Sequence, residues 1–332
     1  MEVLDAIAWP GRAQGLRGSR RSRTWQGRAA TRPCAHDPAV LRAFAEQLSP
    51  DDQVALEATI NTFAIAKLLG EHAGRVVISN PLRTRAIADA KIKTDKVDAS
   101  VLAQLLAADY LPAVWEPDET TQMLRRLVAR RAQIVRQRTR LKNQVHAVLH
   151  RNLVSGCPAS DPFGKAGRRW MERVQLPADE HDALQSNLRL FDWLGEELAQ
   201  ADAACARAAL GRDDIRRLMT VPGIDFAVAL ALVAAIGDVH RFPSPQKLVS
   251  YLGLDPRVRQ SGNQPAMTGL RITKIGRCHA RGMLVEAAWA VARTPRPTAR
   301  FLRPHPWPAR ATHCRRGACA EARRPGVASG ES

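Results

Sequence analysis

At 332 residues the chain has room for two domains, and its 45% hydrophobic content can supply a core for each. A formal net charge of +18 favours a polyanionic partner, nucleic acid first. No apolar run reaches the ~20 residues of a membrane span, which excludes a helical membrane protein.

Much of the excess charge lies at the ends. Residues 1–36 hold seven arginines against Glu2 and Asp5, and residues 293–332 hold nine arginines against Glu321 and Glu331. Neither stretch contains a lysine, and the last carries six prolines, which forbid a long helix. This Arg/Pro/Ala/Gly bias reads as degenerate or out-of-frame sequence; the alternative is a natural basic disordered tail. The six cysteines form no CxxC pair, and His313 beside Cys314 and Cys319 lacks a fourth zinc ligand. A reducing cytoplasm is the expected compartment. No apolar h-region follows the N-terminal arginines, so no signal peptide is expected.

In chain order, "DPAVLRAFAEQL" reads as a helix with Asp37 near its cap, and "QVALEAT" (53–59) as a buried strand carrying Glu57. A helix over "INTFAIAKLLGEHA", a strand over "RVVISN" (75–80) and a two-piece helical stretch to Leu111 follow. Strands alternating with helices predict an α/β domain with a largely parallel sheet. From Glu119 to Leu153, apolar residues recur at helical spacing among Arg125, Arg126, Arg130, Arg131, Arg136, Arg138, Arg140 and Lys142. That pattern predicts a long basic amphipathic helix of coiled-coil type, with a phosphate-facing role or a merely solvated face. "SGCPASDPFGKAG" reads as a loop, and helix resumes from about Leu184 to Leu210. "LMTVPGIDFAVALALVAAIGD" (218–238) places a Pro-Gly turn at Gly223 between apolar helices. It resembles the helix–hairpin–helix of DNA-binding proteins, whose backbone amides meet phosphate. A polar loop around Ser261 and a basic helix close the ordered part.

Glu57 on a strand, with Asp95 and Asp98 three apart on one helix face, supplies hard oxygen ligands for Mg²⁺ (or Mn²⁺). Two such ions can activate an attacking oxygen and stabilise a leaving one. The spacing alone leaves open an ordinary charged surface among Lys91, Lys93 and Lys96. Ser261 in "RQSGNQ" has Arg257, Arg259, Arg271 and Lys274 nearby in sequence. These cations would stabilise charge developing during attack on a phosphodiester; a plain Ser-Gly turn is the alternative.

Together "VALEAT", "NPLRTRAIADAKIKTDKVDASVLAQLLAADYLP", "VPGI" and "RQSG…TGLRITKIGRCHARGMLVEAAW" resemble the IS-one-ten class of bacterial insertion-sequence transposases, from about Asp37 to Arg293. The resemblance implies a RuvC-like (RNase H fold) DEDD domain, a coiled-coil segment and a mainly α transposase domain bearing a serine. It matches Glu57, Asp95 and Asp98 to the second, third and fourth acids and Ser261 to the serine that attacks DNA. The reaction implied is Mg-dependent strand exchange on double-stranded DNA through a transient phosphoserine link. A structured guide RNA and a homo-oligomer come with the resemblance as further partners. The boundaries expected are a degenerate or disordered segment at 1–36, an incomplete DEDD domain at 37–118 and a basic coiled-coil helix at 119–154. Linker and helices at 155–210, the transposase domain at 211–293 and a basic tail at 294–332 complete the division.

Two departures stand out. The first acid belongs on an opening strand in a Gly-x-Asp context; Asp5 lies 52 residues before Glu57 with apolar neighbours but no preceding glycine. Ile60 stands where the family has glycine, and the stretch after "VARTP" lacks the family's helix. Little or no transposition is therefore expected of the chain as written. The alternatives are a site-specific DNA invertase or junction resolvase with the same acids, and a non-catalytic nucleic-acid-binding remnant.

Overall fold

The computed structural model describes residues 6–10, 38–87, 95–257 and 271–292, with backbone only for residues 6–10 and 95–97. They fall into two compact units, one ending at Pro117 and one beginning at Asp118.

The first unit is built on a three-stranded sheet in the order β1 (Ala6–Pro10), β2 (Asp52–Glu57), β3 (Arg75–Ser79). Val54 and Leu56 point to one face. There they pack with Ile78, with Ala45 of α1 (Pro38–Ala45) and with Ile65, Ala66 and Leu69 of α2 (Thr62–Gly70). Ala55 and Val77 point to the other face, onto Ala99, Leu102, Ala103 and Leu106 of α4 (Asp95–Ala107). A short α3 (Pro81–Ile87) follows β3. Because both faces are covered, β2 reads as a continuous apolar run rather than an alternating one.

β2 and β3 are parallel, whereas β1 and β2 are antiparallel. The sheet is therefore mixed, which corrects the largely parallel sheet expected from sequence. β1 also lies inside the stretch read as degenerate: five small and apolar residues, "AIAWP", suffice to pair with the exposed edge of β2. Asp37, expected as a cap, lies outside the described residues.

The second unit is helical. α5 (Glu119–Arg151) and α7 (Ala178–Ala209) form an antiparallel pair. Val145, Val148 and Leu149 meet Leu184 and Leu188 at one end, Ile134 and Leu141 meet Phe191, Leu194 and Ala201 in the middle, and Leu124 meets Cys205 at the other. The short α6 (Lys165–Met171), within a stretch expected to start as loop, inserts Met171 into the first of these clusters. α7 begins six residues earlier than the apolar spacing suggested, because Asp179 and Glu180 favour a helix N-terminus. The apolar seam of α5 is thus filled from within the chain.

α8 (Asp213–Met219), α9 (Phe226–Ile236), α10 (Pro245–Leu252) and α11 (Cys278–Ala292) complete the unit. α9, "FAVALALVAAI", is apolar all round and accordingly central. It packs on α5 through Leu124 and on α10 and α11 through Leu252, Ala280 and Ala287. No described helix is long and apolar enough to cross a membrane.

Candidate functional site

Glu57 is the last residue of β2, paired in register with Ser79 at the end of β3. Side chains alternate along a strand, so Glu57 shares the Ala55 face, the one covered by α4. Arg75, at the start of β3, pairs with Asp109, just beyond α4, at 3.1 Å. That contact ties the end of α4 to the beginning of β3. α4 covers the Ala55 face through Ala99, Leu102, Ala103 and Leu106, with Asp95 and Asp98 in its first turn. The carboxyl ends of parallel strands are where open α/β sheets bind ligands.

The loop after Glu57 is held by one buried hydroxyl. Thr62 Oγ1 lies 3.1 Å from the carbonyls of both Glu57 and Thr59 and accepts the Thr59 N–H at 2.5 Å. Ser79, also buried, shares a 2.6 Å hydrogen bond with Thr84. Sequence reasoning missed both residues, since threonine and serine beside a turn carry no pattern of their own. Ile60 is 91% exposed, so its departure from glycine alters no packing.

The half-buried Glu57 carboxylate makes no hydrogen bond or ion pair with another described residue. An uncommitted carboxylate at a strand end, with Asp98 on the neighbouring helix, fits a hard divalent cation. Among the described residues no cluster of three potential ligands is assembled. The side chain of Asp95, and all of Asp5, lie outside the description. Ala6, which follows Asp5, pairs with Leu56, which precedes Glu57.

In the second unit the segment bearing Ser261 leaves and returns through a narrow neck. Arg257 N–H donates to the Arg271 carbonyl at 3.0 Å, Thr273 N–H to Asp255 at 2.8 Å and Lys274 N–H to Gly253 at 3.2 Å. Gly253 has φ +71°, and a Cβ there would sit 2.8 Å from the Ile275 carbonyl. Lys274 holds φ 58°, a conformation costing ~1–2 kcal/mol for a residue with a side chain. Arg257, Arg271 and Lys274 thus flank the neck and are exposed, while Ser261 and Arg259 lie outside the described residues.

Three arginines gather nearby at the carboxyl end of α9. Arg125 donates to the Ala234 and Ala235 carbonyls, Arg241 to Ile236, and Arg277 to the Tyr251 hydroxyl, itself bonded to Ala235. They satisfy the helix's last carbonyls and complement its dipole. Partial burial first, and then Arg277 and Arg241, hold the Arg125 pKa below its ordinary value.

The Pro-Gly turn is exposed at Gly223, with one side of that residue held close to α11. Gly223 has φ +82°, and a Cβ would lie 2.5 Å from Val291 Cγ2 and 2.6 Å from the Ala287 carbonyl. The turn is pressed against α11, and the Asp225 carboxylate accepts the Val228 N–H at the start of α9.

The cations of α5 divide into two groups. Arg131 pairs with Asp202 at 2.5 Å, and Arg138 and Lys142 lie over the Phe191 ring at 4.3 and 5.5 Å. Arg130 pairs with Glu197 yet stays 63% exposed. Arg126, Arg136 and Arg140 are exposed and make no hydrogen bond or ion pair with another described residue.

Residues 26–152 match the family model of the IS110 DEDD transposase domain, and residues 215–303 match that of the transposase IS116/IS110/IS902 family. The chain belongs to this transposase family. Both matches run past the span of 37–293 over which the sequence motifs were read. The transposase chain is 31% identical over 223 residues to a protein of Sinorhizobium fredii named as a transposase, y4qE, covering 67% of this chain and 53% of the relative. It is 27% identical over 210 residues to the transposase for insertion sequence element IS1111A of Coxiella burnetii, covering 60% and 55%. It is 29% identical over 203 residues to the pilin gene-inverting protein of Moraxella bovis, covering 58% and 52%. The chain spans about half the length of these curated relatives.

Proposed function

We propose that this transposase-family chain is a DNA recombinase that cleaves and exchanges strands of double-stranded DNA through Ser261. The observation that supports this reading is Glu57 at the carboxyl end of β2, on the sheet face that α4 covers. Glu57, Asp95 and Asp98 would hold Mg²⁺ or Mn²⁺. Bound there, the cation would supply charge neutralisation at the scissile phosphate. Asp5 is the candidate for the first acid, supported by the pairing of Ala6 with Leu56.

The Ser261 hydroxyl gives up its proton and forms an ester bond to phosphorus. The phosphorus–oxygen bond to the leaving sugar hydroxyl breaks, and that hydroxyl takes a proton. Arg257, Arg259, Arg271 and Lys274, which lie in the Ser261 segment and its neck, would stabilise the negative charge that grows on the phosphoryl oxygens. Three carboxylates suffice for one divalent ion, so slow cleavage is expected even where whole-element transposition is little or none. A structured RNA and a second copy of the chain are the further partners that the family resemblance brings.

A gel assay tests this reading. The purified chain is incubated with Mg²⁺ and a labelled duplex carrying the ends of its own element. A covalent protein–DNA adduct is expected, lost with EDTA and lowered at least about a thousandfold by Ser261→Ala or Glu57→Gln. Its absence from the wild-type chain while DNA is still bound would leave only the non-catalytic binding reading. The likeness to a pilin gene-inverting protein supports a second reading, site-specific inversion. Invertible repeats flanking the gene, in place of element ends, would favour it.

A further inference from the structure

α5 carries nine arginines and lysines and a single acid, Glu119. Its buried stripe faces α7 on one side and α9 on the other, which leaves one continuous band open to solvent. Arg126, Arg130, Gln133, Arg136, Gln137, Arg140 and Gln144 all lie in this band and are exposed. At 1.5 Å per residue, Arg126 to Arg140 alone spans about 20 Å. We infer that this band docks the phosphate backbone of double-stranded DNA, with arginines as counter-charges and glutamines as further donors.

Three features select that partner. Within the band, the sole ion pair to a described residue is Arg130 with Glu197. The band contains no aromatic residue, so it offers no stacking platform of the kind that holds single-stranded bases. Its exposed side chains are hydrogen-bond donors, which suits sequence-independent backbone contact. The cations sequence reasoning could not separate are thereby sorted: Arg125, Arg131, Arg138 and Lys142 hold the unit together, while Arg126, Arg136 and Arg140 face outward. The inference shares only its partner, duplex DNA, with the recombinase reading and needs neither metal nor Ser261.

The test is fluorescence anisotropy of the full chain on a 30-bp duplex of arbitrary sequence, in EDTA, over a series of salt concentrations. Each phosphate contact contributes about 0.9 to the slope of log affinity against log salt. The Arg126→Gln/Arg136→Gln/Arg140→Gln variant is expected to lose about 2.7 from that slope, with an unchanged thermal melt. Arg189→Gln/Arg207→Gln/Arg217→Gln, which removes as many exposed charges from α7 and α8, is expected to leave the slope as in the wild type. An equal loss in both variants would reduce the effect to net charge and overturn the inference. So would an unchanged slope in the α5 variant, or tighter binding to single-stranded DNA or RNA of the same length. Loss of the covalent adduct with an intact slope would sink the recombinase reading and leave this surface standing.

Discussion

Thr62 shows how one hydroxyl fixes a catalytic candidate. Valine keeps its shape but leaves the Thr59 N–H and the Glu57 carbonyl without their partner in a buried place. Thr62→Val is expected to cost about 1–3 kcal/mol of stability, read by denaturant unfolding. It should also slow adduct formation at temperatures where the chain is still folded, without weakening DNA binding. Gly223→Ala is expected to destabilise by more than ~1 kcal/mol, because left-handed backbone and a close carbonyl coincide there. His279 adds a pH signature. Partial burial first, and then Arg136 and Arg131, lower its pKa from the ordinary 6.5. The unfolded chain therefore takes up the proton at higher pH than the folded one, and stability present above about pH 6.5 is lost as pH falls toward the folded value. Melts at pH 7.5 and 5.5 should show a smaller drop for His279→Gln than for wild type.

The strands β2 and β3 and the length of α5 were legible in "VALEAT", "RVVISN" and the spacing of α5, because burial imposes a period the chain must obey. What lay hidden was the fate of individual side chains. Charge alone cannot tell an arginine that reaches a helix carboxyl end, as Arg125 does, from one that faces water, as Arg126 does. The aromatic cluster beneath α5 was equally hidden. Phe191 packs against Phe163 at 5.1 Å and lies under Arg138 and Lys142. Phe191→Ala is expected to cost about 3–5 kcal/mol, since it opens a cavity and takes a ring from Arg138, Lys142 and Arg168. The Pro-Gly turn was legible as a bend, but the dipeptide does not specify what approaches it; here α11 lies against one side of Gly223. β1 escaped notice because five residues in an arginine-rich stretch give too short a pattern, yet an open strand edge can recruit them.

Across the whole molecule, Glu57 ends a strand in one unit, and in the other Arg257, Arg271 and Lys274 flank the neck of the segment that carries Ser261 in sequence. Family membership was legible from four motifs in order, and both family models fall on those motifs. The central claim is that these residues act on DNA through a serine ester. The most direct measurement is therefore mass spectrometry of the peptide bearing Ser261 after incubation with duplex DNA and Mg²⁺. The account predicts a nucleotide-modified Ser261 that is absent in EDTA and in Glu57→Gln. Unmodified Ser261 under conditions where the duplex is bound and Mg²⁺ is present would contradict it.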